Sequence, residues 1–393
     1  RLNNDGIEVD FEISDHTFNN KILYIVSSAI DMQTIFLKDY IQEPNVLTRP
    51  EFLKQLSKKV NLIGVTGTHG KTSTTALLAH IFMFNGINIS YIYGGVTSFN
   101  GIGGHYGDES LPLLLETDEA FNTFKELEID SLLVTNIDYD HVDHFGSYKK
   151  LLKAFETVIN NVKNKCILNT DDKELLNLIR PGDISYSSTE NSTYEVKYPN
   201  YFSHEGKEYT IKTKLIGNHF ISNITGAIAL AKINGISIEQ SLNSIEHFVG
   251  VKRRTEFIGK FNGVNFYDDY GHHPTEIKAT TKALKENTVG NLIVIFQPHR
   301  FTRTRDHFDD LKNSFNYSDL TLITDIYSAG EKPIPGISSL LFEGEGIKYI
   351  KSPRLVPHYV KTNIKSGDTV LTIGAGDITL LGPQILKYLN ENK

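Results

Sequence analysis

The sequence predicts an α/β protein in which open, largely parallel sheets alternate with helices. Three observations carry that prediction. Short apolar runs alternate with helical patterns in two series, one from about residue 61 and one beyond Gly250. The first run, Asn61–Thr66, feeds a glycine loop that opens into Ala76–Phe82, a stretch of helical composition. Between residues 185 and 215 the rhythm changes to polar–apolar alternation, as in Tyr194-Glu195-Val196-Lys197-Tyr198, the pattern of a half-exposed antiparallel sheet.

In chain order, Gly6–Phe11 and Lys21–Val26 read as strands, and a helix starts near Arg49-Pro50, where proline suits the first turn. Residues 1–60 are too few for a complete domain and read as the remainder of a small Rossmann-like α/β unit. Residues 61–250 read as a central P-loop-type sheet with strands at Asn61–Thr66, Ile89–Tyr93, Leu113–Glu116, Ser131–Asn136 and Lys165–Leu168. A small antiparallel sheet and a helix at Ile221–Asn234 follow. Residues 251–393 read as a doubly wound Rossmann-like domain. Its strands fall at Val264–Tyr267, Leu292–Phe296, Leu320–Thr324, Ile347–Ile350 and Thr369–Ile373, with helices at Pro274–Glu286 and Arg305–Phe315.

The chain has 393 residues, 39% of them hydrophobic and 22% charged, enough for two or three domains with their own cores. No run approaches the roughly 20 apolar residues of a membrane span, and none follows the opening Arg1–Asp5 as a secretory signal would. Cys166 is the single cysteine, so no internal disulfide forms, which suits the cytoplasm. The net charge of −7 and the absence of a basic cluster with interleaved aromatics argue against nucleic acid as a partner. Nothing in the sequence sets an oligomeric state.

The chemistry gathers where strands end. Gly67-Thr68-His69-Gly70-Lys71-Thr72-Ser73 joins a strand to a helix N-terminus, where backbone N–H groups and the helix dipole favour phosphate. In this loop Lys71 suits the β/γ-phosphates of a nucleoside triphosphate, and the Thr72 hydroxyl suits Mg²⁺. Val65 stands where the common phosphate-loop pattern has its first glycine. Glu116, Asp118 and Glu119 follow a second strand as an acidic patch, the ligand type Mg²⁺ requires. A third strand ends in Asp138-Tyr139-Asp140-His141, where His141 is a candidate metal or phosphate ligand. In the closing domain Asp268-Asp269-Tyr270-Gly271-His272-His273 and Gln297–Arg305 both follow strands. There Arg300 and Arg303 suit a bidentate grip on carboxylate or phosphate. Arg253 and Arg254 form a basic hinge at the domain boundary.

Gly67–Thr72, Thr135-Asn136-Ile137 with Asp140-His141, and Asp268–Glu276 together resemble the Mur ligases of peptidoglycan synthesis, from about residue 60 to the end. Phe296–Thr304 and Tyr327–Gly336 point within that family to members that add L-alanine to UDP-N-acetylmuramate. The resemblance implies a cytoplasmic, ATP- and Mg²⁺-dependent enzyme that makes an amide through an acyl phosphate. It implies metal positions at Thr72 with Glu116 and at His141, and adenine contacts from His219 and Asn223. Arg254 and Asp269 fall near γ-phosphate and ribose, and His273, Arg300 and Arg303 on the face that grips amino acid and intermediate.

Two departures stand out. Glu116-Thr117-Asp118-Glu119-Ala120 lacks the Ser-Asp pair that usually follows in the acidic segment, and no glycine-rich turn for the uridine diphosphate precedes Lys71. The alternatives are a recycling ligase that adds a whole tripeptide, which typically has Phe-Ala where this chain has Tyr270-Gly271, and a non-catalytic nucleotide-binding relative. Division of the chemistry between two domains implies a hinge near Gly250–Arg254.

Overall fold

The computed structural model describes residues 18–27, 30–31, 35–97, 101–119, 124–139 and 145–392. The expected strand at Gly6–Phe11 lies outside them. The leading segment pairs β1 (Tyr24–Val26) with β2 (Val46–Thr48) in parallel. Helix α1 (Arg49–Ser57) starts where predicted, because Thr48 and Glu51 form a reciprocal capping box and Pro50 occupies the first turn. Such a cap is worth about 1 kcal/mol.

The central sheet grows around β3 (Leu62–Thr66), whose five residues are all buried. It is followed by α2 (Lys71–Phe84), β4 (Ser90–Ile92), β5 (Gly104–His105), β6 (Leu113–Glu116) and β7 (Ser131–Val134). Next come α3 (Tyr148–Asn161), β8 (Cys166–Asn169), α4 (Lys173–Leu178), β9 (Ile184–Ser187), β10 (Tyr194–Lys197), β11 (Tyr201–His204) and β12 (Lys207–Thr210). Among the described residues the ten strands run β12-β11-β10-β9-β8-β7-β3-β6-β4-β5, and all but β11, β12 and β5 join through parallel pairings.

The alternating stretch pairs antiparallel as expected, β10 with β11 and β11 with β12, but it continues the central sheet. Strand β10 pairs in parallel with β9, and Tyr186, Tyr194, Val196 and Phe202 join the same core as β3 and α2. Their inward residues continue the apolar face already covered by α5 (Asn218–Ile233) and α6 (Ile238–His247), so the alternation extends the sheet at its edge. The other face packs on α3 through Leu151, Phe155, Val158 and Ile159. Fully burying one such side chain contributes ~1.5–3 kcal/mol.

Beyond α6 the chain turns into a second sheet: β13 (Glu256–Phe261), β14 (Val264–Asp269), α7 (Pro274–Glu286), β15 (Leu292–Phe296), α8 (Phe301–Asp306), α9 (Phe308–Asn313), β16 (Leu320–Ile323), β17 (Ile347–Tyr349), α10 (Val356–Asn363), β18 (Thr369–Ile373) and α11 (Leu381–Glu391). Its order is β13-β14-β18-β15-β16-β17, parallel except for β13 against β14, with an apolar core on each face. The helix expected at Arg305–Phe315 is instead the pair α8 and α9, because His307 leaves helical geometry at φ −117°. Strand β13, which the sequence did not predict, carries Gly259 at φ +156° and a register shift between Phe257 and Gly259.

The connection between the sheets is tightly specified. Gly250 (φ +96°), Arg253 (φ +60°) and Thr255 (φ +47°) all adopt left-handed backbone, which costs a non-glycine residue roughly 1–3 kcal/mol. Val251 bridges to Thr97, and the Lys252 N–H donates to Val96 O at 2.8 Å. Arg253 donates to the carbonyls of Gly374 (2.6 Å) and Gly376 (3.1 Å), which anchors the turn to the second sheet.

Candidate active site

The glycine loop is shaped by contacts that leave no space for side chains. A Cβ on Gly67 (φ +131°) would meet Thr135 Oγ1 at 2.1 Å, and one on Gly70 (φ +82°) would meet Asn223 Nδ2 at 2.6 Å. The His69 N–H donates to Asn136 Oδ1 (2.9 Å) and Asn136 Nδ2 donates back to His69 O (3.0 Å), so a neighbouring strand end fixes the loop. Helix α2 starts at Lys71 with no side-chain cap on its first turn. A helix N-terminus of this kind is an anion seat.

Lys71 donates to Gly67 O (2.7 Å) and to both carboxylate oxygens of Glu119 (3.0 and 2.8 Å). Glu119 is only 1% exposed. Burial pulls the Lys71 ammonium down, but Glu119 and Asp118 outweigh it and hold its pKa above the ordinary lysine value. Beside it Thr72 Oγ1 donates to Glu116 Oε1 at 2.7 Å, and the Gly94 N–H holds the other oxygen at 2.6 Å. The hydroxyl and carboxylate expected to share a cation thus converge at the end of β6.

A cavity of about 440 Å³ opens from the loop between the two sheets. The central domain lines it with His69, Gly70, Ser73, His219 and Asn223, and the closing domain with Arg254 and Asp269. Seven of the residues singled out in the sequence therefore meet in one chamber. Burial pushes the His219 imidazole down to about 4, so it is neutral at pH 7. Burial also raises Asp269 to about 6, against the pull of Arg254 and the N–H groups of Gly271 and Thr255. Asn136, Asp138, Asn169, Tyr198, Thr275 and Glu276 line the same space. The sequence assigned no role to these six, since their common destination depends on how the sheets meet.

His69 is the bridge across that meeting. Its Nε2 lies 3.0 Å from Asp138 Oδ2 and its Nδ1 lies 3.3 Å from Glu276 Oε1. Burial lowers the imidazole pKa, but the bonds to Asp138 and Glu276 prevail and lift it to about 9. Thr275 Oγ1 donates to the same Asp138 oxygen at 2.6 Å. His273 is buried, caps α7, and sits 3.7 Å from Asp138.

Arg300 and Arg303 lie apart from the chamber. Arg300, at φ +68°, donates to Glu331 at 2.6 Å, and Arg303 lies 3.4 Å from His299. Burial raises Glu331, but bonds from Thr302 and Arg300 win and hold it down to about 2. His141 lies outside the described residues.

Two family profiles match this chain: the Mur ligase middle domain over residues 65–231 and the Mur ligase glutamate ligase domain over residues 253–376. The chain belongs to the Mur ligase family. A UDP-N-acetylmuramate–L-alanine ligase of Mesorhizobium japonicum is 34% identical over 96% of this chain and 87% of its own length. One of Desulforamulus reducens is 31% identical over 100% and 90%. Among solved structures, the UDP-N-acetylmuramate-alanine ligase MurC of Thermotoga maritima superposes with a TM-score of 0.81 at 23% identity, covering 100% of this chain and 90% of that one.

Proposed function

We propose that this chain is an ATP-dependent ligase that joins L-alanine to UDP-N-acetylmuramate. The observation that carries this reading is the chamber between the sheets, where a phosphate loop and its closing partner Arg254 face one volume. The relatives aligned over nearly the whole chain carry that activity in their names.

In this reading the loop N–H groups and the start of α2 receive the phosphates of ATP, and Lys71 neutralises the β/γ-oxygens. Neutral His219 and Asn223 face the adenine, and Asp269 the ribose. Thr72 and Glu116 would hold Mg²⁺, since a hydroxyl and a carboxylate already point at one another there. The ion, when bound, spreads the charge of the transferring phosphoryl group. His141 is assigned to a second metal position.

The lactyl carboxylate attacks the γ-phosphorus, the bond to ADP breaks, and an acyl phosphate forms. The amine of L-alanine then attacks the acyl carbon, loses a proton, and expels phosphate as the amide forms. Arg254 reaches the γ-phosphate from the hinge, while His273, Arg300 and Arg303 face the amino-acid side. Residues 1–60 are assigned to the UDP-sugar domain, 61–250 to ATP binding and 251–393 to amino-acid binding. Closure of the last two over the substrates excludes the water that would hydrolyse the acyl phosphate.

ADP release tests the reading: it should require UDP-N-acetylmuramate and L-alanine together. Release with a tripeptide in place of L-alanine, and not with L-alanine, would assign the chain to the recycling reaction. Among the described residues no helix is long and apolar enough to cross a membrane.

A further inference from the structure

We propose that His69, Asp138 and His273 form a binding site for a zinc-class divalent cation at the seam between the two domains. His69 Nε2 lies 3.0 Å and His273 Nδ1 3.7 Å from the same Asp138 oxygen. One ligand atom from each residue falls within 4.8 Å of the others. A tetrahedral ion with bonds of ~2.0–2.1 Å places its ligands roughly 3.3–3.4 Å apart. Three vertices of such a site are therefore within small side-chain rotations of position. His273 Nδ1 now accepts the Thr275 N–H at 3.4 Å, a long bond that a metal would replace.

The surroundings are those of a metal centre. The other ring nitrogen of His69 faces the Glu276 carboxylate at 3.3 Å, and the Thr275 hydroxyl orients Asp138 at 2.6 Å. A carboxylate behind a ligating imidazole fixes its tautomer and raises its basicity. His69 and Asp138 line the 440 Å³ chamber, while Asp138 and His273 line a second cavity of about 580 Å³. Asp138 and Thr275 line both cavities, so the cluster is reachable by an ion and by a water as fourth ligand. Two imidazoles suit zinc, cobalt or nickel and disfavour magnesium, which separates this site from Thr72 and Glu116. Its ligands come from both domains, so an ion there ties them together without any nucleotide.

Titration of the metal-free full chain with Co²⁺, in millimolar Mg²⁺, tests the site by absorption and by melting temperature. The expected result is one Co²⁺ per chain with the intense visible bands of a tetrahedral site. Asp138→Asn and His273→Gln should each weaken Co²⁺ binding at least about tenfold, and Glu276→Gln by a comparable factor. His247→Gln, remote from the seam, should leave it unchanged. Circular dichroism identifies any variant that fails to fold, and the remaining variants then decide. Absence of the bands, or Co²⁺ affinity unaltered in the folded variants, overturns the proposal.

Discussion

The imidazole of His69 and the carboxylate of Glu276, 207 residues apart in sequence, meet at 3.3 Å. One belongs to the phosphate loop and the other to the first turn of α7, so the loop touches the closing domain directly. Without a bound ion Asp138 holds the opposite ring nitrogen, and the charged imidazole is shared between two carboxylates. The contact thereby joins the glycine loop to the second sheet's first helix turn.

That bridge predicts a pH dependence. The His69 pKa is raised from 6.5 to about 9, so its stabilisation is fully present below about pH 6.5 and is lost as pH rises through about 9. Melting temperatures of the metal-free chain between pH 6 and 10 should fall across this window, and Glu276→Gln should flatten the fall. A wild-type curve that is flat or rises there would contradict the bridge.

Lys71→Ala should abolish ATP turnover. It also takes the ammonium away from Glu119, which is 1% exposed, and breaking a buried pair costs on the order of 3–5 kcal/mol. The single variant should therefore melt earlier as well. Adding Glu119→Gln should recover melting temperature while leaving turnover absent. Turnover within a factor of ten of wild type in either variant, about 1.4 kcal/mol, would remove Lys71 from the chemistry.

Glu116→Gln should raise the Mg²⁺ concentration needed for half-maximal activity by about tenfold or more, because the carboxylate facing Thr72 loses its charge. Activity titrated against Mg²⁺ at saturating ATP reads the shift. An unchanged midpoint would place the metal elsewhere.

The hinge should move with ligands. Gly250, Arg253 and Thr255 concentrate left-handed backbone at the crossing between sheets, where Val251 and Lys252 hold to Thr97 and Val96 on one side and Arg253 to Gly374 and Gly376 on the other. Small-angle scattering with ATP analogue and substrate should show a smaller radius of gyration than without. Equal radii for an active enzyme would argue for a fixed arrangement.

Much of this was legible in the residues. Leu113–Glu116 and Pro274–Glu286 fall where their patterns put them, since continuous apolar runs and a proline-led start are local signals. Chamber residues were legible when a motif named them, as with His219, Asn223 and Asp269. Glu119 was not: three acids cluster at the end of β6, and only packing decides that this one turns inward to Lys71. Asp138 and Glu276 stood inside quoted motifs without a role for the same reason, because each acquires its partner from another part of the chain. Strand β13 was obscured by Gly259 and its register shift, and the edge strands read as a separate sheet because alternation reports exposure, not connectivity.

The most direct test is product formation. Purified protein with ATP, Mg²⁺, UDP-N-acetylmuramate and L-alanine should yield ADP, phosphate and the UDP-linked alanine amide in equal amounts, detected by mass spectrometry. ATP consumed without amide, or amide formed only with a tripeptide, would contradict the assignment.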